Sequence, residues 1–413
     1  MSKNELRQLG TIAIFNPPER VSKGDRLKKV PMEYLTAWQK KITGFILSEY
    51  KSGSKFRNGD VLLAKITPCL ENGKTAYVNI LNKNEIGFGS TEFIVLRATE
   101  DLDSHYLYYL TISPTFRKKA ISCMEGTSGR KRVNENALKR YEVLIPAKIE
   151  QKKISNFLNL LDKKIELNNQ INAELESMAK TLYDYWFVQF DFPDENGKPY
   201  KSSGGKMVYN SVLKREIPEG WNESQIVKIE NNIITGKTPP KENSDYFSGD
   251  VPFITIGDIR GNTFIVHTEE TLTRKGADFQ KNKYLPEDTI CVTCIATPGL
   301  IGLTTTLSQT NQQINSIICS KEYHKYFLYF TLKGYFNANL KVKIGNTFAN
   351  MNKKDFSEIE LIYPSKNLLI NFHKKVSSIF EKIKSNTKES NKLSKLRDFL
   401  LPMLMNGQVT IKD

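Results

Sequence analysis

The sequence predicts an α+β chain built from two similar globular modules and two long helices, the product of an internal duplication. Three observations lead there. A narrow apolar stripe runs through the middle of the chain. A second stripe repeats it near the end at a constant offset. Strand-like runs divided by turn signals precede each stripe.

The first module covers residues 1–147. Its strand-like runs are Thr11 to Phe15, Asp60 to Ile66, Thr75 to Ile80 and Phe93 to Leu96. Turn signals such as Asn58-Gly59-Asp60 and Glu71-Asn72-Gly73 separate them. Helical pieces are predicted at Ser104 to Ile112 and Asn134 to Arg140. The strand Tyr141-Glu142-Val143-Leu144-Ile145 is stopped by Pro146.

A long helix follows over residues 148–190. Ile154, Leu158, Leu161 and Ile165 step by four, three and four, and after polar gaps at Asn168 and Asn172 the stripe resumes at Leu175, Met178 and Leu182. This is the seam of a coiled coil, flanked by Lys and Glu on the solvated face. A stripe so narrow and long requires a partner helix. Residues 191–220, rich in Pro, Gly and Ser, read as a polar linker.

The second module, residues 221–365, copies the first. Thr289 to Ala296 is a strand run, Tyr329-Phe330-Thr331 echoes Tyr109-Leu110-Thr111, and Ile359 to Tyr363 is again stopped by proline, Pro364. The last segment, 366–413, carries the partner stripe: Phe372, Val376, Ile379, Ile383, Leu393, Leu396 and Leu400. Phe372, Ile383, Leu393 and Leu400 each lie 218 positions after Ile154, Ile165, Leu175 and Leu182, and Asn386 lies the same distance after Asn168. A polar residue in an apolar seam fixes register at some cost in stability. One helix leads out of the first module and the other leads back from the second. They are therefore expected to pair antiparallel with pseudo-two-fold symmetry, with the modules at opposite ends of a rigid rod.

Composition narrows the function. Sixty Lys+Arg against forty-five Asp+Glu leave a net charge of +15, which favours a polyanionic partner, nucleic acid before anionic membrane. No apolar run is long enough to span a membrane, and MSKNELRQLG lacks the apolar core of a signal peptide. Five cysteines fit reduced thiols in a cytoplasm better than a disulfide framework. Two basic modules at fixed separation suit double-stranded DNA read in two halves.

Several stretches carry a family resemblance. They are Ile145-Pro146 followed by Glu150-Gln151-Lys152-Lys153-Ile154, Leu182-Tyr183-Asp184-Tyr185-Trp186-Phe187, Phe190-Asp191-Phe192-Pro193, Gly197-Lys198-Pro199, Ile217-Pro218-Glu219-Gly220-Trp221, and Leu396-Arg397-Asp398-Phe399-Leu400-Leu401-Pro402 with Asn406-Gly407. With them the whole chain resembles the specificity subunit of a type I restriction–modification enzyme. The resemblance implies that each module is a target recognition domain for one half of a split DNA sequence. It implies that the paired helices space the halves and dock two methyltransferase subunits, to which motor-nuclease subunits are added. It implies no cofactor in this chain, with S-adenosylmethionine, ATP and Mg expected only on the partner subunits. A stand-alone, repressor-like double-site binder and an enzyme with its own methyltransferase or nuclease site are the other two readings.

Motifs that suggest catalysis have duller explanations. Asn16-Pro17-Pro18-Glu19 resembles the Asn-Pro-Pro-aromatic motif of adenine methyltransferases, but a glutamate cannot stack on a flipped base. Gly73-Lys74-Thr75 and Gly236-Lys237-Thr238 lack the first glycine of a phosphate-binding loop, since Pro68 and Asn231 stand five residues earlier. Cys291 and Cys294 have metal-ligand spacing but no second pair, so core packing is expected and no metal. No catalytic residue is assigned. The DNA-reading candidates rest on donor chemistry, Arg for guanine, Asn and Gln for adenine, Lys for phosphate. In the first module they are Lys65, Lys74 and the basic loop Thr127, Arg130, Lys131, Arg132 and Asn134. In the second they are Lys237, Thr238, Gln312, Gln313, Asn315, Asn346 and Asn350.

Overall fold

The computed structural model describes residues 5–127, 129–342 and 350–411. It divides into two compact units. One comprises residues 1–166 together with 392–413, and the other is the continuous stretch 167–391.

In the first unit a four-stranded antiparallel sheet forms the centre, in the order Ala13–Phe15, Phe93–Ala98, Val61–Ala64, Thr75–Tyr77. Val61, Leu62, Leu63 and Ala64 are all buried, as befits an apolar run covered on both faces. A second sheet runs Ile46–Glu49, Arg26–Val30, Gly87–Gly89, Ser54–Phe56. The strand expected to start at Thr11 begins at Ala13, because Leu9–Ile12 forms one helical turn that buries Leu9 and Ile12. The helix Ser104–Ile112 is capped by Asp103, whose carboxylate accepts the Tyr106 amide, and it buries Tyr106, Leu107, Tyr108 and Tyr109 against the sheet.

The second unit repeats this plan. Its main sheet runs Ile233–Thr235, Ile314–Ile317, Ile290–Thr293, Ile301–Thr304, with Phe264–Ile265 added at the edge. In each unit the strand before the long helix pairs antiparallel with a strand near the start of the unit's module. Glu142–Ile145 pairs with Glu5–Gln8, and Glu360–Tyr363 with Asn222–Gln225. Phe116 and Phe336 occupy matching buried places. Where the first unit breaks its helix at Ser113-Pro114, the second continues unbroken over Glu322–Val342. The segment 191–220 is not an open linker. It folds into a hairpin of Met207–Asn210 and Arg215–Pro218, and Phe192 stacks between Tyr200 and Trp221 at 4.7 and 5.2 Å.

The long helices extend over Lys148–Tyr183 and Lys366–Met405. The first ends in a π-helical turn, Asp184–Val188, which widens the helix so that the consecutive Trp186 and Phe187 are both buried. In the first unit Ile154 and Leu158 share a core with Leu401, Leu404 and Met405. The rising numbers of one helix meet the falling numbers of the other, and Asp162 meets Arg397, so this pairing is antiparallel. In the second unit Tyr183 and Phe187 pack on Phe372, while Asn168 reaches Ser390, again antiparallel.

The helices are not stalks attached to finished modules. Gln151 is buried and donates to the carbonyls of Asp101 and Pro146 while accepting the Asp103 amide. In the second unit the matching place holds Leu369, fully buried. Core and helix therefore form together.

The seam departs from the expected stripe at two places. Leu161, Phe372, Val376 and Ile383 are buried, and Ile165, Leu175, Leu182, Ile379, Leu393 and Leu400 are partly so. Met178 and Leu396, however, are 59% and 43% exposed. They lie at equivalent positions, and beyond the polar centre the contact face moves by one residue in both helices. Ala179 with Tyr183, and Arg397 with Leu401, take the inward places because a straight 3.6-residue helix drifts off a 3.5-residue stripe. Asn168 and Asn386 are buried. Asn168 donates to Glu389 and Ser390 at 2.8 and 3.2 Å, and Asn386 donates to Asn172 at 2.9 Å. Moving each partner by 218 turns the contact 168–390 into 386–172, so this register bond repeats under exchange of the helices, while Asn168–Glu389 does not, since Ile171 stands in the matching place.

Candidate nucleic-acid interface

In the first unit the loop after the helix Pro114–Ser122 returns as the strand Arg132–Val133, paired with Met124–Glu125. The Thr67 amide donates to the Lys131 carbonyl and the Val133 amide to that of Lys65, which fixes the loop to the end of the central strand. Lys65, Arg130, Lys131 and Arg132 are thereby gathered on one edge. Their electrostatic states differ. Arg132 is held by Glu92 through two nitrogens at 2.7 and 2.9 Å, which keeps the Glu92 carboxyl below its ordinary range. Lys65 lies 3.6 Å from Glu135. Thr127, Arg130 and Lys131 are exposed, and among the described residues no acid lies within ion-pair distance of either cation. A polyanion approaching this edge meets Arg130 and Lys131 first.

Two candidates in this unit have structural work instead. Lys74 donates to the Met32 carbonyl at 3.0 Å, half-buried behind the edge. Asn134 caps the short helix Glu135–Lys139 through the Ala137 amide and donates to Glu125. The Asn16-Pro17-Pro18-Glu19 segment is equally structural. Buried Glu19 binds Arg57 and Arg97, and Arg97 grips Asp60 with two further bonds.

In the second unit the matching edge carries mainly amides, with one cation, Lys237. The Lys237 amide bonds the Thr310 carbonyl, and the Thr238 hydroxyl donates to Gln312 at 2.8 Å. The Cys294 amide bonds the Gln313 carbonyl, and Asn350 bridges to Ile295. So Lys237, Thr238, Gln312, Gln313 and Asn350, separated in sequence, line one edge, with Lys237, Gln312 and Asn350 exposed. Asn315 does not join them. It is 2% exposed and accepts the Thr235 hydroxyl at 2.6 Å, because its place in the strand Ile314–Ile317 turns it inward. Asn346 lies outside the described residues. Gly236 is needed as glycine, since a Cβ there would lie 2.3 Å from the Thr310 carbonyl oxygen and 2.2 Å from that of Asn311.

Sequence reasoning overlooked the acids of the first edge, Glu92 and Glu135, and the amide Asn311, which donates to Gln313. A signal was available for Glu92, because the strand repeat aligns it with Gln313. Cys291 and Cys294 are buried in the sheet, and burial pushes their thiols up to about 12 and about 11, far from the thiolate a metal or nucleophilic site requires. Among the described residues no three His, Cys, Asp or Glu are grouped to hold a metal ion, and no helix is long and apolar enough to cross a membrane.

Comparison with known proteins places this arrangement. The family model for the type I restriction modification DNA specificity domain matches twice, over residues 1–177 and 218–396, once for each module and its helix. The specificity subunit of the type I restriction enzyme HindI from Haemophilus influenzae is 34% identical over 404 residues, covering 86% of this chain and 87% of that one. The MjaIX specificity subunit of Methanocaldococcus jannaschii is 26% identical, over 75% of this chain and 70% of its own. In fold, the crystal structure of a type I restriction-modification system S subunit from M. genitalium aligns over 98% of this chain and 96% of that one, with a TM-score of 0.56 and 18% identity. With a family model matched across both halves and a relative aligned over most of its length, the chain belongs to the type I restriction–modification specificity subunits.

Proposed function

We propose that this chain is the DNA-reading, non-catalytic subunit of a type I restriction–modification complex. Each module reads one half of a bipartite target in double-stranded DNA, and the paired helices set the spacing and dock two methyltransferase subunits. Motor-nuclease subunits join to make the restricting form. S-adenosylmethionine, ATP and Mg serve the partner subunits, and the complex works in the cytoplasm. The observation that carries this reading is the double match of the specificity-domain model, one copy for each module and the helix that follows it. The net charge of +15 and the two repeated edges bearing Arg, Lys and amide side chains support it. The same match favours a specificity subunit over a stand-alone repressor.

The test is to co-express the chain with a type I methyltransferase subunit and to map methylated bases in the host genome by sequencing. The expected result is co-purification and one asymmetric motif of two short blocks separated by a fixed unspecified spacer. Binding to a single continuous site without any methyltransferase partner would overturn the proposal.

A further inference from the structure

The exchange symmetry of the helix seam is broken by charge at one crossing. In the first unit the Arg397 guanidinium bonds Asp162 at 2.8 Å, and both side chains are about nine-tenths buried, 12% and 11% exposed. The pair is embedded in a polar cluster. The Tyr109 hydroxyl donates to the other Asp162 oxygen at 2.6 Å, and the Lys40 ammonium lies 3.3 Å from that hydroxyl and 2.9 Å from Asn159. Burial opposes the charge on the Arg397 guanidinium, and Asp162 with Asp398 outweighs it and holds the group protonated.

Moving each partner by 218 carries position 162 to 380 and position 397 to 179. In the second unit these places hold Phe380 and Ala179, both fully buried in one apolar core. Phe380 stacks on Tyr326 at 4.0 Å and meets Tyr329 edge-on at 5.6 Å. Four other seam positions are unchanged by exchange. Ile165 and Ile383 are the same residue, as are Asn168 and Asn386, Leu175 and Leu393, Leu182 and Leu400. Apolar matching alone would therefore let a helix of one chain pair with the like helix of another.

The crossing at 162 forbids that. If like halves of two copies paired in the same register, each Asp162 would face the partner's Ala179 and each Arg397 the partner's Phe380. Asp162 would lose the guanidinium, and Arg397 would keep only its exposed neighbour Asp398, which is the costly way to break a buried pair. We propose that the Asp162–Arg397 crossing is a pairing lock. It makes each helix select its unlike partner and reject the like helix of a second copy. The device resembles the polar positions by which coiled coils select partners.

The test uses the full-length chain. Wild type and the double variant D162F/R397A, which puts the second unit's pair into the first, are unfolded in urea, refolded together at about equal high concentration with two different tags, and sized by light scattering. Wild type is expected to return as monomer. The double variant should return with at least a tenfold larger fraction of mixed-tag dimer, cross-linked between segments near 162 and 179 of different chains. D162N/R397Q removes both charges but keeps polar side chains, and covers the case in which the apolar pair does not fold. It should raise the mixed dimer at least threefold. D162R/R397D restores opposite charges and should remain monomeric. Mixed dimer in wild type, an unchanged dimer fraction in whichever neutral variant folds, or a rise in D162R/R397D equal to that of the neutral pair would each overturn the lock.

Discussion

Single side chains in the basic loop carry unequal weight. Arg130 and Lys131 face solvent, while Arg132 is already neutralised by Glu92. Replacing Arg130 by Ala should weaken binding to one half-site by about 1–3 kcal/mol if it bonds a guanine, and leave the other half-site untouched. Arg132→Ala should cost less, and Glu92→Gln should tighten non-specific binding by freeing a cation. Fluorescence titration of duplexes carrying each half-site separates these outcomes, and equal losses for Arg130 and Arg132 would contradict the geometry. Residue-level legibility was limited here for a physical reason. Composition shows that arginines are present, but the acid that cancels one of them comes from 40 residues away and meets it only through strand pairing. Lys40 gives a second case. Burial among Tyr77, Tyr108 and Tyr109 lowers its ammonium from 10.5 to about 8, against the opposing pull of Asp162 and Asp103. Between about pH 8 and pH 10.5 the unfolded chain holds a proton that the folded chain has released, so this residue makes stability rise with pH across that window. Lys40→Met should remove that rise, seen as a smaller difference between urea midpoints at pH 7.5 and pH 10 than in wild type.

At the scale of elements, the helices and central strands were legible because their periods are strong. Ser104–Ile112 falls where the sequence places it, the strands at 61–64, 75–77 and 142–145 lie within the predicted runs, and the strand at 93–98 runs two residues past the predicted Phe93 to Leu96. The second sheet of the first unit was missed. Its strands are short, and Arg26–Val30 is largely polar, with a single fully buried side chain. The hairpin in 191–220 was missed because its order comes from aromatic stacking on Trp221, which composition does not reveal. The Met178 and Leu396 stripe positions failed through helical drift, not through wrong pairing. Two substitutions test the elements. Leu158→Ala empties a fully buried place between module and helix and should cost about 2–5 kcal/mol, measured by urea unfolding of the full chain. Gly236→Ala drives a methyl into the Thr310 and Asn311 carbonyls. It should shift the Lys237-Thr238 turn and lower affinity for one half-site only, which binding to the two separate half-site duplexes would show.

For the whole molecule, charge governs the encounter with DNA. With +15 on the chain, binding to a random duplex should fall steeply and linearly on a log–log plot as salt rises, while a flat response would remove the electrostatic account. The division into units has a separate consequence, in the order of synthesis. The second unit is one uninterrupted stretch, 167–391, but the first needs residues 392–413 to complete a core that contains Leu401, Leu404 and Met405. The module made first is therefore finished last. At about 5–20 residues per second the ribosome takes roughly 10–45 s to travel from residue 166 to residue 392, and through that time Ile154 and Leu158 lie uncovered. A premature stop near the end of the gene would harm the beginning of the protein. Truncation after Lys395 should leave the second unit resistant to brief proteolysis and the first unit sensitive, the reverse of what the position of the lesion suggests.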